Sequence, residues 1–169
     1  MRKTLLLPLA LLSAPLMAAE LKVEVEIPRL QVAEYHRPYV ALWLEQPDKS
    51  HVANLAVWYD LKLKDNEGEK WLKDMREWWR RSGRSLDMPV DGVSAATRAV
   101  GTHSLRFTDD SAPLNDLPAG EYRLVVEAAR EVGGRELLRL PFSWPPEKTE
   151  THQAQGESEL GTITLELTH

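Results

Sequence analysis

The sequence predicts an all-β domain, a two-sheet β-sandwich with one inserted amphipathic helix at about residues 69–81. Apolar residues alternate with polar ones over several short segments, turn-forming residues separate those segments, and one segment alone changes to helical spacing. Of the 169 residues, 43% are hydrophobic and 28% charged, the balance of a chain that buries a core.

At the start, Arg2 and Lys3 precede an apolar run over residues 5–16, and Met17-Ala18-Ala19 then supplies small residues before Glu20. This order predicts a secretory signal peptide over residues 1–19, cleaved after Ala18 or Ala19. A transmembrane anchor would need about 20 apolar residues, and Pro8 and Pro15 interrupt a shorter run. No cysteine follows to carry a lipid. The mature protein is therefore expected to be periplasmic, not embedded in a membrane, and to form one domain over residues 20–169.

Leu21, Val23, Val25 and Ile27 alternate with Lys22, Glu24 and Glu26, the period of a half-buried strand. Residues 39–45 and 52–59 are rich in β-branched, aromatic and leucine side chains, and the polar residues 46–50 read as their hairpin loop. In residues 69–81 the apolar Trp71, Leu72, Met75, Trp78 and Trp79 fall at steps of one, three and four, which predicts the helix. Ser82-Gly83 ends it, and residues 83–101, without either period, read as a loop. Further strands are expected at residues 103–108 and 121–130. Gly133-Gly134 then supplies the freedom for a tight hairpin into residues 135–144. The polar residues 145–158 read as a second, mobile loop, and residues 160–167 as the closing strand.

Composition excludes several chemistries. There is no cysteine, so disulfides, thiol redox and Cys-ligated zinc or iron–sulfur centres are ruled out. The 21 basic and 26 acidic residues are well mixed and give a net charge of −5, which argues against nucleic acid as a partner. His36, His51, His103, His152 and His169 show no ligand spacing, so no metal is expected. No Ser-His-Asp, paired-carboxylate or phosphate-loop pattern names a hydrolase.

Residues 101–107, Asp109-Asp110 and Leu117-Pro118-Ala119-Gly120-Glu121-Tyr122-Arg123-Leu124 resemble the strand, turn and return of immunoglobulin-like domains in flagellar hook-capping proteins. The resemblance implies an immunoglobulin-like sandwich with Tyr122 at its corner. A wider resemblance runs through Pro38 to Trp43 with Glu45, the Trp71-Leu72 to Arg80 segment with Ser82-Gly83, Asp91 to Arg98, Val126 to Glu131, and Glu159-Leu160-Gly161. It covers nearly the whole mature chain and is to the uncharacterised bacterial periplasmic proteins of domain of unknown function family 2271, whose name carries no activity.

Asp91-Gly92-Val93-Ser94-Ala95-Ala96-Thr97 resembles the acceptor motif of flavin transferases, with Ala95 standing where glycine is usual. The resemblance implies that Thr97 is esterified to the phosphate of FMN. Arg98 would then face the phosphate, and Trp78 or Trp79 would cover the flavin ring. The protein would be a redox carrier rather than a complete enzyme, loaded by a flavin transferase and served by a membrane electron-transfer protein in extracytosolic redox or metal reduction. Asp-Gly before small residues is also an ordinary turn, and apolar residues at helical spacing ordinarily dock a helix on a sheet. The alternative is thus a cofactor-free binding or assembly module that docks a partner through the helix and the loop over residues 83–101.

Overall fold

The computed structural model describes residues 18–169, so the signal-peptide reading lies outside the described residues except for Ala18 and Ala19. The alternation that opens the domain forms strand β1 (Glu20–Ile27), whose Leu21, Val23, Val25 and Ile27 are buried while the residues between them are half-exposed. Along the chain follow β2 (Tyr39–Glu45), β3 (His51–Tyr59), a 3-10 stretch (Lys64–Asp74), helix α1 (Arg76–Arg81), β4 (Ser94–Ala96), β5 (Gly101–Thr108), β6 (Gly120–Ala129), β7 (Arg135–Trp144), β8 (Glu150–Gln155) and β9 (Thr162–Thr168). One sheet has the order β5-β1-β9-β8 and the other β4-β3-β2-β6-β7. All pairings are antiparallel except β3 with β4.

The all-β two-sheet class is as the sequence predicts, and the alternation explains its main core. Leu21, Val23 and Val25 of β1 and Ile163, Leu165 and Leu167 of β9 face Val40, Leu42, Leu44, Leu124 and Val126 of the five-stranded sheet. Tyr122 secures one corner, its hydroxyl donating to the Pro118 carbonyl at 2.7 Å while its ring lies 6.0 Å from that of Phe142.

The five-stranded sheet is covered on its other face too, which is why all seven residues of β2 are buried. Tyr39, Ala41, Trp43, Val57, Tyr59 and Val125 pack there against Leu72, Met75 and Trp78 of the helical cover. Two carboxylates sit in this layer. Glu45 is paired with Arg139 at 2.7 Å, and Glu127 accepts the backbone N–H groups of Glu77 at 3.0 Å and Trp78 at 2.7 Å and the Arg135 Nε at 2.5 Å. Glu127 thereby supplies acceptors to the N-terminal turn of α1, where backbone donors lack helical partners.

Four local expectations are corrected. The helix over residues 69–81 is two pieces: 3-10 turns, a break at Met75 (φ −77°, ψ 75°), then the short α1. Burial of Leu72, Met75 and Trp78 every third residue fits the three-residue turn of a 3-10 segment as well as an α-helix, and Trp71 falls on the exposed side. The loop over residues 83–101 contains β4, and that over residues 145–158 contains β8, an edge strand too polar to announce itself. Gly133 and Gly134 are not the left-handed residues of their turn; Val132 is, at φ 53°. The glycines instead make room, since a Cβ on Gly133 would lie 2.5 Å from the Arg130 guanidinium carbon, and one on Gly134 would lie 2.9 Å from the Glu159 carboxylate. Arg130 and Glu159 are a buried ion pair, with Nε and Oε2 2.8 Å apart, that ties the β6–β7 turn to the segment entering β9.

Candidate functional site

One end of the five-stranded sheet finishes on a single rung. Ala96 is paired with Tyr59, Tyr39 with Ala129 and Ala129 with Arg135, and the β2–β3 register sets Tyr39 beside Tyr59 with ring centroids 6.2 Å apart. Past this rung the chain leaves the sheet at Thr97, Asp60, Arg37 and Glu131. With Tyr39 and Ala129 these residues line a cleft of about 350 Å³, within the lower range of small-molecule sites. Leu63, Trp71 and Asp74 close it from the helical side, and Tyr35 and His36 from the segment before β2.

The local sequence explains the walls. Asp65 and Asn66 take left-handed φ values of 55° and 56°, a conformation these two residue types tolerate better than most. The chain thus turns sharply, and Gly68 comes so close to β3 that a Cβ would lie 2.1 Å from the Asp60 carbonyl oxygen. The Tyr39 hydroxyl donates to the Gly68 carbonyl at 3.1 Å. Burial pushes its phenol up to about 12, so it stays neutral and keeps that bond at physiological pH. His36 contacts Glu34 at 2.8 Å and Glu131 at 3.5 Å across the mouth.

Thr97 sits at the rim. Its N–H donates to the Tyr59 carbonyl at 3.2 Å, extending the β3–β4 pairing by one bond, and its half-exposed side chain donates from Oγ1 to Asp60 Oδ1 at 3.3 Å. The preceding residues form a closed turn. Gly92 is left-handed at φ 72°, the Val90 carbonyl accepts the Ser94 N–H at 2.8 Å, and the Val90 N–H donates to the Ser94 hydroxyl at 2.8 Å. Asp91 is exposed, Ala95 packs half-buried against the main core, and Ala96 is exposed at the strand end.

The other sequence-predicted residues lie elsewhere. Trp78 is fully buried, its indole N–H donating to Asn54 Oδ1 at 2.9 Å, and Trp79 packs half-buried beside it, with centroids 6.4 Å apart. Arg98 stacks over the Trp58 ring at 5.3 Å and lines a separate groove, with His103 and Arg106, between β4 and β5. The aromatic and basic side chains that share the cleft with Thr97 are Tyr35, His36, Arg37, Tyr39 and Trp71. Among the described residues six large hydrophobic side chains are exposed, and three line this cleft: Tyr35 at 38%, Leu63 at 44% and Trp71 at 49%. Sequence reasoning missed Tyr35, Arg37 and Asp60. The one available signal was the density of aromatic and charged residues in an aperiodic segment, Glu34-Tyr35-His36-Arg37.

Among the described residues no group of three or more His, Asp and Glu side chains converges as metal ligands, and no helix is long and apolar enough to cross a membrane. No curated protein and no solved structure matches the chain. A family model described as "Predicted periplasmic protein (DUF2271)" matches residues 20–162.

Proposed function

The chain belongs to the DUF2271 family of predicted periplasmic proteins, and on that premise we propose that it is an electron carrier bearing FMN covalently on Thr97. The observation that carries this reading is the position of Thr97: a half-exposed residue on the rim of a cleft that exposes Tyr35, Leu63 and Trp71 among charged side chains. The residues present fit the group. Thr97 is half-exposed just past a three-residue edge strand, where a modifying enzyme has access. An arginine and a tryptophan share the cleft, and the volume suits a ring system.

In this reading the Thr97 oxygen bonds to the phosphorus of the FMN half of a flavin dinucleotide, its proton passes to solvent, and the nucleoside monophosphate leaves. A flavin transferase catalyses that step, so Thr97 needs reach rather than activation. Bound flavin supplies the electron chemistry, and covalent attachment keeps it from being lost by dilution outside the cytoplasm. A membrane electron-transfer protein supplies the electrons, for extracytosolic redox such as metal reduction. Arg98, which lines another groove, and the Trp78–Trp79 pair, packed in the helical cover, have no part in the reading.

A second reading, a cofactor-free binding module, draws on the exposed Tyr35, Leu63 and Trp71, which a partner protein would cover. One experiment separates the two. Protein produced in the periplasm together with a flavin transferase is expected to gain the mass of one FMN less water and a yellow absorbance, and Thr97→Ala to lose both. An unmodified wild-type mass under those conditions would reject the carrier.

A further inference from the structure

We infer that the cleft is the resting place of the tethered flavin ring, with Trp71 as its stacking surface and Arg37 as the partner of the phosphodiester; this rests on the modification of Thr97 proposed above.

Three features of the cleft converge on that assignment. First, Trp71 is about half exposed although its neighbours Leu72, Met75 and Trp78 are buried in the sheet-covering layer. Its side chain lines the cleft that Thr97 borders. An exposed tryptophan, tyrosine and leucine on one concave surface favour a planar, largely apolar occupant.

Second, the ring and its tether differ in charge. Asp60, Asp74 and Glu131 line the cleft and would repel a free anionic ligand, but an oxidised flavin ring is uncharged. The negative charge of the tethered group lies at its phosphodiester, which must stay next to Thr97. Arg37 lines the cleft with Thr97 and lines the adjoining groove with it again, so it is the guanidinium available to offset Asp60, whose Oδ1 lies 3.3 Å from Thr97 Oγ1, once the phosphodiester forms. Arg80 and Arg81 are committed to Glu77, and Arg98 to Trp58.

Third, the floor is fixed. Tyr39 and Ala129 are paired to each other in the last rung, and the Tyr39 hydroxyl is held by Gly68, so stacking on Trp71 needs rotation of exposed side chains and no opening of the sheet.

The test uses full-length protein loaded by a flavin transferase, with modification confirmed by intact mass in every sample. Flavin emission at matched absorbance reports stacking, because a tryptophan in van der Waals contact quenches it. Wild-type protein is expected to emit less than free FMN, Trp71→Ala to regain emission toward that of free FMN, and Trp71→Phe to fall between. Arg37→Gln is expected to raise emission as well, and to remove the salt dependence of the wild-type signal. Because both side chains are exposed, thermal unfolding of the apo variants should match wild type, which separates ring release from misfolding. A loaded wild-type protein that emits like free FMN, or loaded variants that emit like wild type, would overturn the inference while leaving Thr97 modification intact. A bare polypeptide mass would instead overturn the carrier reading itself.

Discussion

Replacing Glu127 with alanine should loosen the helical cover of the five-stranded sheet, and the size of the effect can be worked from three contacts. The side chain is fully buried, and its two oxygens accept the N–H groups of Glu77 and Trp78 and the Nε of Arg135. Truncation orphans two backbone donors at the start of α1, and the one on Trp78 is buried. Each lost bond of this kind costs about 1–3 kcal/mol. The Arg135 side chain is 37% exposed and can turn to water, so its loss adds little. The expected destabilisation is about 2–5 kcal/mol, or about 5–15 °C in Tm for a domain of this size. Glu127→Gln keeps the volume but turns one NH2 toward a donor, and should fall between alanine and wild type. Thermal and urea unfolding followed by circular dichroism and tryptophan fluorescence measure this directly. A Tm loss under about 2 °C for the alanine variant would mean that apolar packing alone seats the cover and that the carboxylate is incidental.

The β6–β7 turn gives a pair of opposite expectations. Val132 is 74% exposed and left-handed, so Val132→Gly should relieve about 1 kcal/mol of strain and raise Tm. Gly133→Ala should drive Arg130 off Glu159 at a cost of about 2–4 kcal/mol; equal Tm values for the two variants would contradict both arguments. Glu136 gives a pH dependence. Burial tends to raise its carboxyl, but the backbone N–H groups of Glu157, Leu160, Ser158 and Glu159 outweigh this and hold it below the ordinary 4.5. Glu26 is lowered likewise, first by the Thr162 N–H. Because the folded values lie below the unfolded ones, this stabilisation is complete above about pH 4.5 and disappears as pH falls through the folded values. Acid unfolding monitored between pH 7 and 3 should therefore steepen below about pH 4.5, and Glu136→Gln should show the shallower decline; parallel curves would remove the carboxylate from the explanation.

Strands with one face on the core were the most legible part of the sequence, because alternation is a direct imprint of which face is dry. β1 and β9 show this plainly. β2 was legible as a strand but not as one buried on both sides, since Tyr39, Ala41 and Trp43 report a second covering layer only once Leu72, Met75 and Trp78 are known to lie on them. β8 and β4 were invisible for different reasons. The first is polar but for Ala154 and is held by ladder bonds to β9, and the second is three small residues whose pairing with β3 depends on tertiary placement. At the candidate site, Thr97 was found through its motif, whereas Trp71, Tyr35 and Arg37 are brought to it from segments tens of residues away by the register of one rung. Local spacing favoured Trp78, Trp79 and Arg98 because they are near in sequence or share a stripe. The break at Met75 puts Trp71 in a different helical piece from Trp78 and Trp79.

The ion pair between Arg130 and Glu159 sets how the cleft end of the molecule comes apart. Arg130 directly follows the last residue of β6, and Glu159 leads into β9 of the opposite sheet and also accepts the Gly134 N–H at 2.8 Å. Separating the sheets at this end would strand both charges in a low-dielectric interior, so partial opening there is disfavoured relative to complete unfolding. The amide protons of Arg130, Gly133 and Gly134 should then exchange with solvent only through global unfolding, as slowly as those of β1 and β9, even though they belong to a surface turn. The rim around Tyr35 and Thr97, at the same end of the sheet but outside this brace, should exchange far sooner. Adaptability and permanence would thus meet at one end of the sheet, with the boundary between them at the rung that joins Tyr39 to Ala129.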